Sequence, residues 1–227
     1  TPGVAEACLQ IEKDKEKAYE FTSKWNYVAV VSDGTRVLGL GDIGGQAGMP
    51  VMEGKALIFK YLGGVDAFPI CLSTKDPDEI IQAVKWIEPS FGGINLEDFS
   101  KPKCFYILEK LRAEMPIPVW HDDQQGTAAV ILAGTINALK YVGKKMSEAK
   151  FTIVGTGSAN TRTYYVLKAA GVDPKNIILV DSTGTLGTYR DDIKDTYKWT
   201  IAEETNPDNV EGGIKEAAEG SDIMIAA

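Results

Sequence analysis

Apolar and polar positions along this chain switch repeatedly between the period of a helix and that of a strand. From Pro2 to Thr22 the apolar residues recur at helical spacing, and Thr1-Pro2 reads as an N-cap followed by proline at the first helical position. Tyr27 to Asp42, YVAVVSDGTRVLGLGD, sets two apolar runs around Asp33-Gly34, a hairpin signal. Met52 to Leu62 predicts a helix and Phe68 to Ser73 a strand. Asp76 to Ile87 opens on DPDE, a helix-start signature, and continues IIQAVKWI. Gly93 to Leu96 predicts a short strand, Lys103 to Glu114 an amphipathic helix, and Ile117 to Trp120 another strand.

Gln124 to Val142 is apolar nearly all round, which predicts a helix packed between layers and not on a surface. Lys144 to Lys150, KKMSEAK, is a charged connector. Phe151 to Asn160, FTIVGTGSAN, then starts a second unit of strand, Gly-rich turn and helix. Asn176 to Asp181 is its next strand and SDIMIAA a later one. Strands alternating with helices predict an α/β fold: an N-terminal layered α/β domain over 1–125, a connecting helix and linker over 126–148, and a partial Rossmann-type unit over 149–227. A dinucleotide-binding sheet has about six strands, so the three expected here, with an apolar strand last, suggest a fragment.

Bulk properties narrow the function. The 227 residues are 44% hydrophobic and 25% charged, an ordinary globular balance. The longest apolar candidate, Thr127 to Val142, contains Asn137 and Lys140 and falls short of the roughly 18 to 20 residues of a membrane span. TPGVAEACLQIEKDKEK lacks the pattern of a secretory leader. A net charge of −8 without a basic cluster argues against nucleic acid. Cys8, Cys71 and Cys104 form no CxxC pair and suggest reduced thiols in the cytoplasm. The single histidine, His121, makes a zinc centre a poor fit.

Acids recur where strands are expected to end: Asp42, Glu97-Asp98 and Asp122-Asp123. Ligand crevices of open α/β sheets lie at the carboxyl ends of the strands. Converging carboxylates without Cys or His suit a hard divalent cation, Mg²⁺ or Mn²⁺; the same acids also serve as helix caps. Gly41 to Lys55, GDIGGQAGMPVMEGK, imitates a P-loop but has five residues between Gly48 and Gly54, alanine after Lys55, and Pro50 where a backbone N–H is needed. Its glycines read as tight turns. Lys55 is either a solvated helix lysine or a lysine held in the crevice, where a nearby cation and partial burial would lower its pKa and make it a usable base. GTGSAN fits the first two glycines of a dinucleotide fingerprint, with Gly155, Gly157, Ser158 and Ala159 at the turn and Asp181 ending the next strand where a ribose-binding acid belongs. Asn160 replaces the usual third Gly or Ala, so helix–strand packing must differ there. An ordinary βα turn is the competing reading.

With these stretches placed, the chain resembles the malic enzyme family through TPGVAEAC, VAVVSDGTRVLGLGDIG, MPVMEGKALIFK, FGGINLEDF, IPVWHDDQQGTAAVILAGTINALK and the Gly155 turn. The resemblance covers nearly the whole chain in the family's order. It implies oxidative decarboxylation of L-malate to pyruvate and CO₂ with NAD or NADP and Mg²⁺ or Mn²⁺. It implies that Glu97, Asp98 and Asp123 hold the metal, that Lys55 is the base with Asp122 beside it, that Arg36 binds a malate carboxylate, and that the protein is a homodimer or larger. Asp181 favours a free ribose hydroxyl, hence NAD, although malic enzymes using either cofactor can carry this acid. The family's proton-donating tyrosine directly precedes the TPG motif, and its later Asn-containing segments follow Ala227; neither lies in this sequence. Gln125 stands in place of the family's second histidine of HDDQHG. A malolactic-type decarboxylation to lactate and a non-catalytic nucleotide-binding or regulatory relative are the alternatives. Retention of Lys55 and all three metal acids argues against the second.

Overall fold

The computed structural model describes residues 2–227, so the Thr1 N-cap lies outside the described residues. Two compact units divide the chain, one up to His121 and one from Asp122 onward.

The first unit begins with α1 (Val4–Lys13), capped by Gly3. The helix expected to reach Thr22 breaks at Asp14, which turns extended and accepts the Glu16 N–H at 3.2 Å. A short-range polar alternative to the helical ladder wins there. A single turn, α2 (Ala18–Phe21), follows. Then come β1 (Tyr27–Ser32), α3 (Gly44–Ile58) with a π turn over Phe59–Gly63, β2 (Asp66–Cys71), α4 (Pro77–Ile87), β3 (Gly93–Leu96), α5 (Lys103–Glu114) and β4 (Val119–His121). Asp76 caps α4, its carboxylate accepting the N–H groups of Asp78 and Glu79.

The strands form one parallel sheet in the order β2-β1-β3-β4. This corrects the hairpin expected around Asp33-Gly34. Both edges of β1 are occupied by parallel partners, Val28 pairing with Ala67 and with Gly93, so no edge remains for Val37 to Leu40. Gly34 instead bends the chain back, its carbonyl accepting from Ile43 and Gly44. Asp42 therefore follows a loop and not a strand, and pairs with Lys75 at 2.7 Å. The α3 helix starts well before Met52 and takes in Gly44, Gly45, Gly48 and Gly54, whereas Gly41, with φ +78°, closes the turn from Val37 as expected. At Gly45 a close neighbour requires glycine: a Cβ there would lie 2.7 Å from the Leu72 carbonyl oxygen. Helices α4 and α5 supply Ile80, Val84, Ile107, Leu108 and Leu111 to a core shared with Ala29, Val31, Ile94 and Leu96.

The second unit starts with a π turn over Asp122–Gly126 and continues through α6 (Thr127–Val142), β5 (Phe151–Val154), α7 (Ser158–Ala169), β6 (Ile177–Val180), α8 (Lys198–Glu204), α9 (Ile214–Ala218) and β7 (Ile223–Ala226). Its sheet is parallel, ordered β6-β5-β7. Phe151, Ile153, Tyr164, Leu167, Ile177, Leu179 and Ile225 fill its core. The expectation that α6 is buried all round is corrected: Ala128, Thr135 and Leu139 are buried, whereas Val130, Ile136, Tyr141 and Val142 are exposed. The chain is mixed α/β with two parallel sheets, and no described helix is long and apolar enough to cross a membrane.

Candidate functional site

The N-terminal sheet delivers its acids to one end. Because β3 and β4 are parallel, with Leu96 opposite His121, the residues that follow each strand leave the sheet on the same side. Those residues are Glu97-Asp98 and Asp122-Asp123. One carboxylate oxygen from each of Glu97, Asp98 and Asp123 lies within 4.8 Å of the others. Glu97 and Asp98 are each 5% exposed. Gathering buried carboxylates this closely is unfavourable unless cationic charge compensates. Lys55, projecting from α3, brings an ammonium 3.3 Å from Glu97 Oε1, while buried Asn95 donates to Glu97 Oε2 at 2.9 Å. An all-oxygen donor set of this kind fits Mg²⁺ or Mn²⁺, which coordinate carboxylates and leave positions for further oxygen ligands.

Asp122 folds over its own turn. A Cβ on Gly126 would lie 2.1 Å from Asp122 Oδ1, so glycine makes room for that carboxylate. Arg36 is exposed; its guanidinium donates to the Leu38 carbonyl at 2.5 Å and its backbone N–H to the Asp98 carbonyl at 2.9 Å. Its side chain thus engages its own loop, and its main chain touches the acidic segment.

The Gly-rich turn of the second unit joins β5 to α7. Gly155 has φ +98°, a conformation that favours glycine, and its N–H donates to the Val180 carbonyl at 2.7 Å. Gly157 is the N-cap of α7 with no side chain over the helix end, and a Cβ there would meet nothing within 4 Å. Ser158 and Ala159 open the helix, where N–H groups lack intrahelical partners and the helix dipole favours an anion. The difference expected at Asn160 takes a definite form. The side chain is fully buried and donates to the carbonyls of Val154 and Ala227, at 2.6 and 3.2 Å, tying the helix to the ends of β5 and β7.

Asp181 ends β6 with its carboxylate nearly buried. Oδ1 accepts from Arg190 Nη1 at 2.8 Å and from the Thr183 and Gly184 N–H groups, and Oδ2 accepts from Lys198 Nζ. Burial pushes this carboxyl upward, but Arg190 and Lys198 outweigh it and hold the group well below the usual carboxylate range. Arg190 and Lys198 escape sequence reasoning, because a lone basic residue on a polar stretch gives no pattern. Val180 to Gly184, Tyr189 to Asp192 and Glu211 to Ile214 line a cavity of about 790 Å³ around this carboxylate.

Comparison with known proteins fits this arrangement. Residues 1–112 match the family profile "Malic enzyme, N-terminal domain" and residues 124–218 match "Malic enzyme, NAD binding domain". The chain is 55% identical to the NAD-dependent malic enzyme of Geobacillus stearothermophilus over 99% of its own length and 46% of that protein's. It is 45% identical to the NADP-dependent malic enzyme of Escherichia coli over 99% of its length and 29% of that protein's. The crystal structure of malic enzyme from Pyrococcus horikoshii superposes on all of the chain and 53% of its own, with a TM-score of 0.96 at 55% identity. The chain thus spans about half or less of each of these relatives. With matches to both domains in order and a close structural likeness along its whole length, the chain belongs to the malic enzyme family.

Proposed function

We propose that the protein containing this chain converts L-malate to pyruvate and CO₂ with NAD or NADP and a divalent metal. The observation that carries the metal part is the gathering of Glu97, Asp98 and Asp123 beside Lys55. Glu97, Asp98 and Asp123 would hold Mg²⁺ or Mn²⁺. When bound, such an ion supplies Lewis-acid stabilisation of negative charge on substrate oxygens, worth several kcal/mol. Lys55 would take the proton from the C2 hydroxyl of malate, with Asp122 beside it. Arg36 would turn from the Leu38 carbonyl to a malate carboxylate.

In the second unit, Gly155, Gly157, Ser158 and Ala159 would cradle the cofactor's pyrophosphate, supported by the open helix end at Gly157. Asp181 would face the adenosine ribose. The relatives named for NAD and for NADP both support a nicotinamide cofactor. Homodimeric or larger assembly goes with the family reading. That Cys8, Cys71 and Cys104 are not joined in disulfides among the described residues supports a reducing compartment such as the cytoplasm.

The test is absorbance of the reduced nicotinamide with the full-length protein, malate and Mn²⁺, offering each cofactor in turn and identifying the product. Pyruvate with stoichiometric reduced cofactor is expected. Asp123→Asn is expected to remove the Mn²⁺-dependent rate while keeping the native circular dichroism. Lactate as product, or a variant with full turnover, would reject the corresponding part of the reading.

A further inference from the structure

Asp98 has φ +60°, in the left-handed region that non-glycine residues adopt at a cost. Such a conformation persists where its surroundings over-determine it, and these positions cluster at functional sites. Three hydrogen bonds hold the backbone around Asp98. The Glu97 N–H donates to the Val31 carbonyl at 2.9 Å, the Arg36 N–H donates to the Asp98 carbonyl at 2.9 Å, and the Ser100 N–H donates to Thr35 Oγ1 at 3.0 Å. The first is strand pairing and the second is main chain to main chain. The third depends on a side chain.

Thr35 is 7% exposed and its hydroxyl is fully directed. Its one proton goes to Asp33 Oδ1 at 2.7 Å, since an ionised carboxylate can only accept, which leaves the oxygen to accept from Ser100. Asp33, 1% exposed, is fixed in turn by the Thr35 N–H at 3.1 Å and by Lys103 Nζ, which also donates to the Lys75 carbonyl at 3.1 Å. A continuous polar chain therefore runs from Lys103 through Asp33 and Thr35 to the segment that presents Glu97 and Asp98. None of these three side chains has a part in the proposed chemistry.

We infer that Thr35, oriented by the Asp33–Lys103 pair, is a positioning residue that holds Asp98 in its left-handed conformation and so sets its carboxylate for a divalent cation. The inference rests on the metal reading proposed above. Partners of this kind typically change metal affinity about 10- to 100-fold when removed.

The experiment measures Mn²⁺ binding to the full-length protein by electron paramagnetic resonance of the free ion, beside circular dichroism and thermal unfolding. Thr35→Val, which keeps the shape and loses the hydroxyl, is expected to weaken Mn²⁺ binding by about 10- to 100-fold with the fold kept. Thr35→Ser is expected to restore affinity to within about twofold, which a merely space-filling role would not do, because Ser replaces the hydroxyl and not the methyl. Equal Mn²⁺ affinity in Thr35→Val and the wild type overturns the inference and leaves the metal reading standing. A wild type that binds no Mn²⁺ overturns both. Should Thr35→Val not fold, Thr35→Ala replaces it, and amide exchange in the wild type decides independently. Protection of the Ser100 N–H near that of the β3 amides supports the clamp, and exchange at exposed-loop rates overturns it.

Discussion

Lys55 stands 3.3 Å from Glu97 on a side chain that is 20% exposed, close to the acids yet reachable from solvent. A base acts on the transition state more than on ground-state binding, so Lys55→Ala is expected to lower kcat by about 100-fold or more and to change the malate KM little. Steady-state kinetics check this, and a change confined to KM would make Lys55 a binding residue. Asp181 lends itself to a thermodynamic test. Its carboxyl is held below the ordinary range, so the charged form contributes stability above the unfolded pKa near 3.9 and that contribution is lost as pH falls through the folded value. Asp181→Asn is expected to cost about 3 kcal/mol at pH 7, leaving Lys198 without this anion and Arg190 with Asp192 alone. The gap to wild type should narrow below about pH 4. Denaturant unfolding at several pH values measures it, and a pH-independent gap would contradict the ion-pair account.

At the scale of elements, what was legible in the sequence depended on how local the cause was. Gly93 to Leu96 and Lys103 to Glu114 stand where the periodicity put them, and Asp76 caps α4 as its DPDE signature predicts. These signals arise within a few residues. The hairpin failed because strand pairing is a competition for edges, and β2 and β3, distant in sequence, hold both edges of β1. The glycines inside α3 misled for a related reason, since the requirement at Gly45 is set by the Leu72 carbonyl across the fold. Gly126 shows the same effect beside the candidate site. Gly126→Ala at the head of α6 should gain up to about 1 kcal/mol of helix propensity while pushing the Asp122 carboxylate out of place. The expectation is an unfolding midpoint no lower than wild type together with a kcat/KM reduced by about 10- to 100-fold. Calorimetry and kinetics on one preparation check both, and wild-type activity would show that the Asp122 position does not matter.

At the scale of the whole molecule, each unit encloses its own core. Leu108 belongs to the first and Leu167 to the second, both fully buried, and the two clusters share no member. Leu108→Ala and Leu167→Ala are each expected to cost about 2–5 kcal/mol. Their effects should add to within about 0.5 kcal/mol in the double variant. Denaturant titration checks this, and a large coupling would show that the cores are not independent.

Most of the alternation of strands and helices up to β6, the Gly155 turn and the nomination of the candidate acids could be read from the chain alone, because periodicity, caps and glycine turns act between near neighbours; the strand expected after Gly34 and the helices α8 and α9 could not. Tertiary structure decided which strands pair, that α6 leaves an apolar face exposed, that Asp181 is held by Arg190 and Lys198, and that the Ser100 N–H, two residues past the left-handed Asp98, meets the hydroxyl of a threonine far away in sequence. Each of these depends on groups brought together only when the sheets form, and no local pattern encodes which distant donor will meet which acceptor.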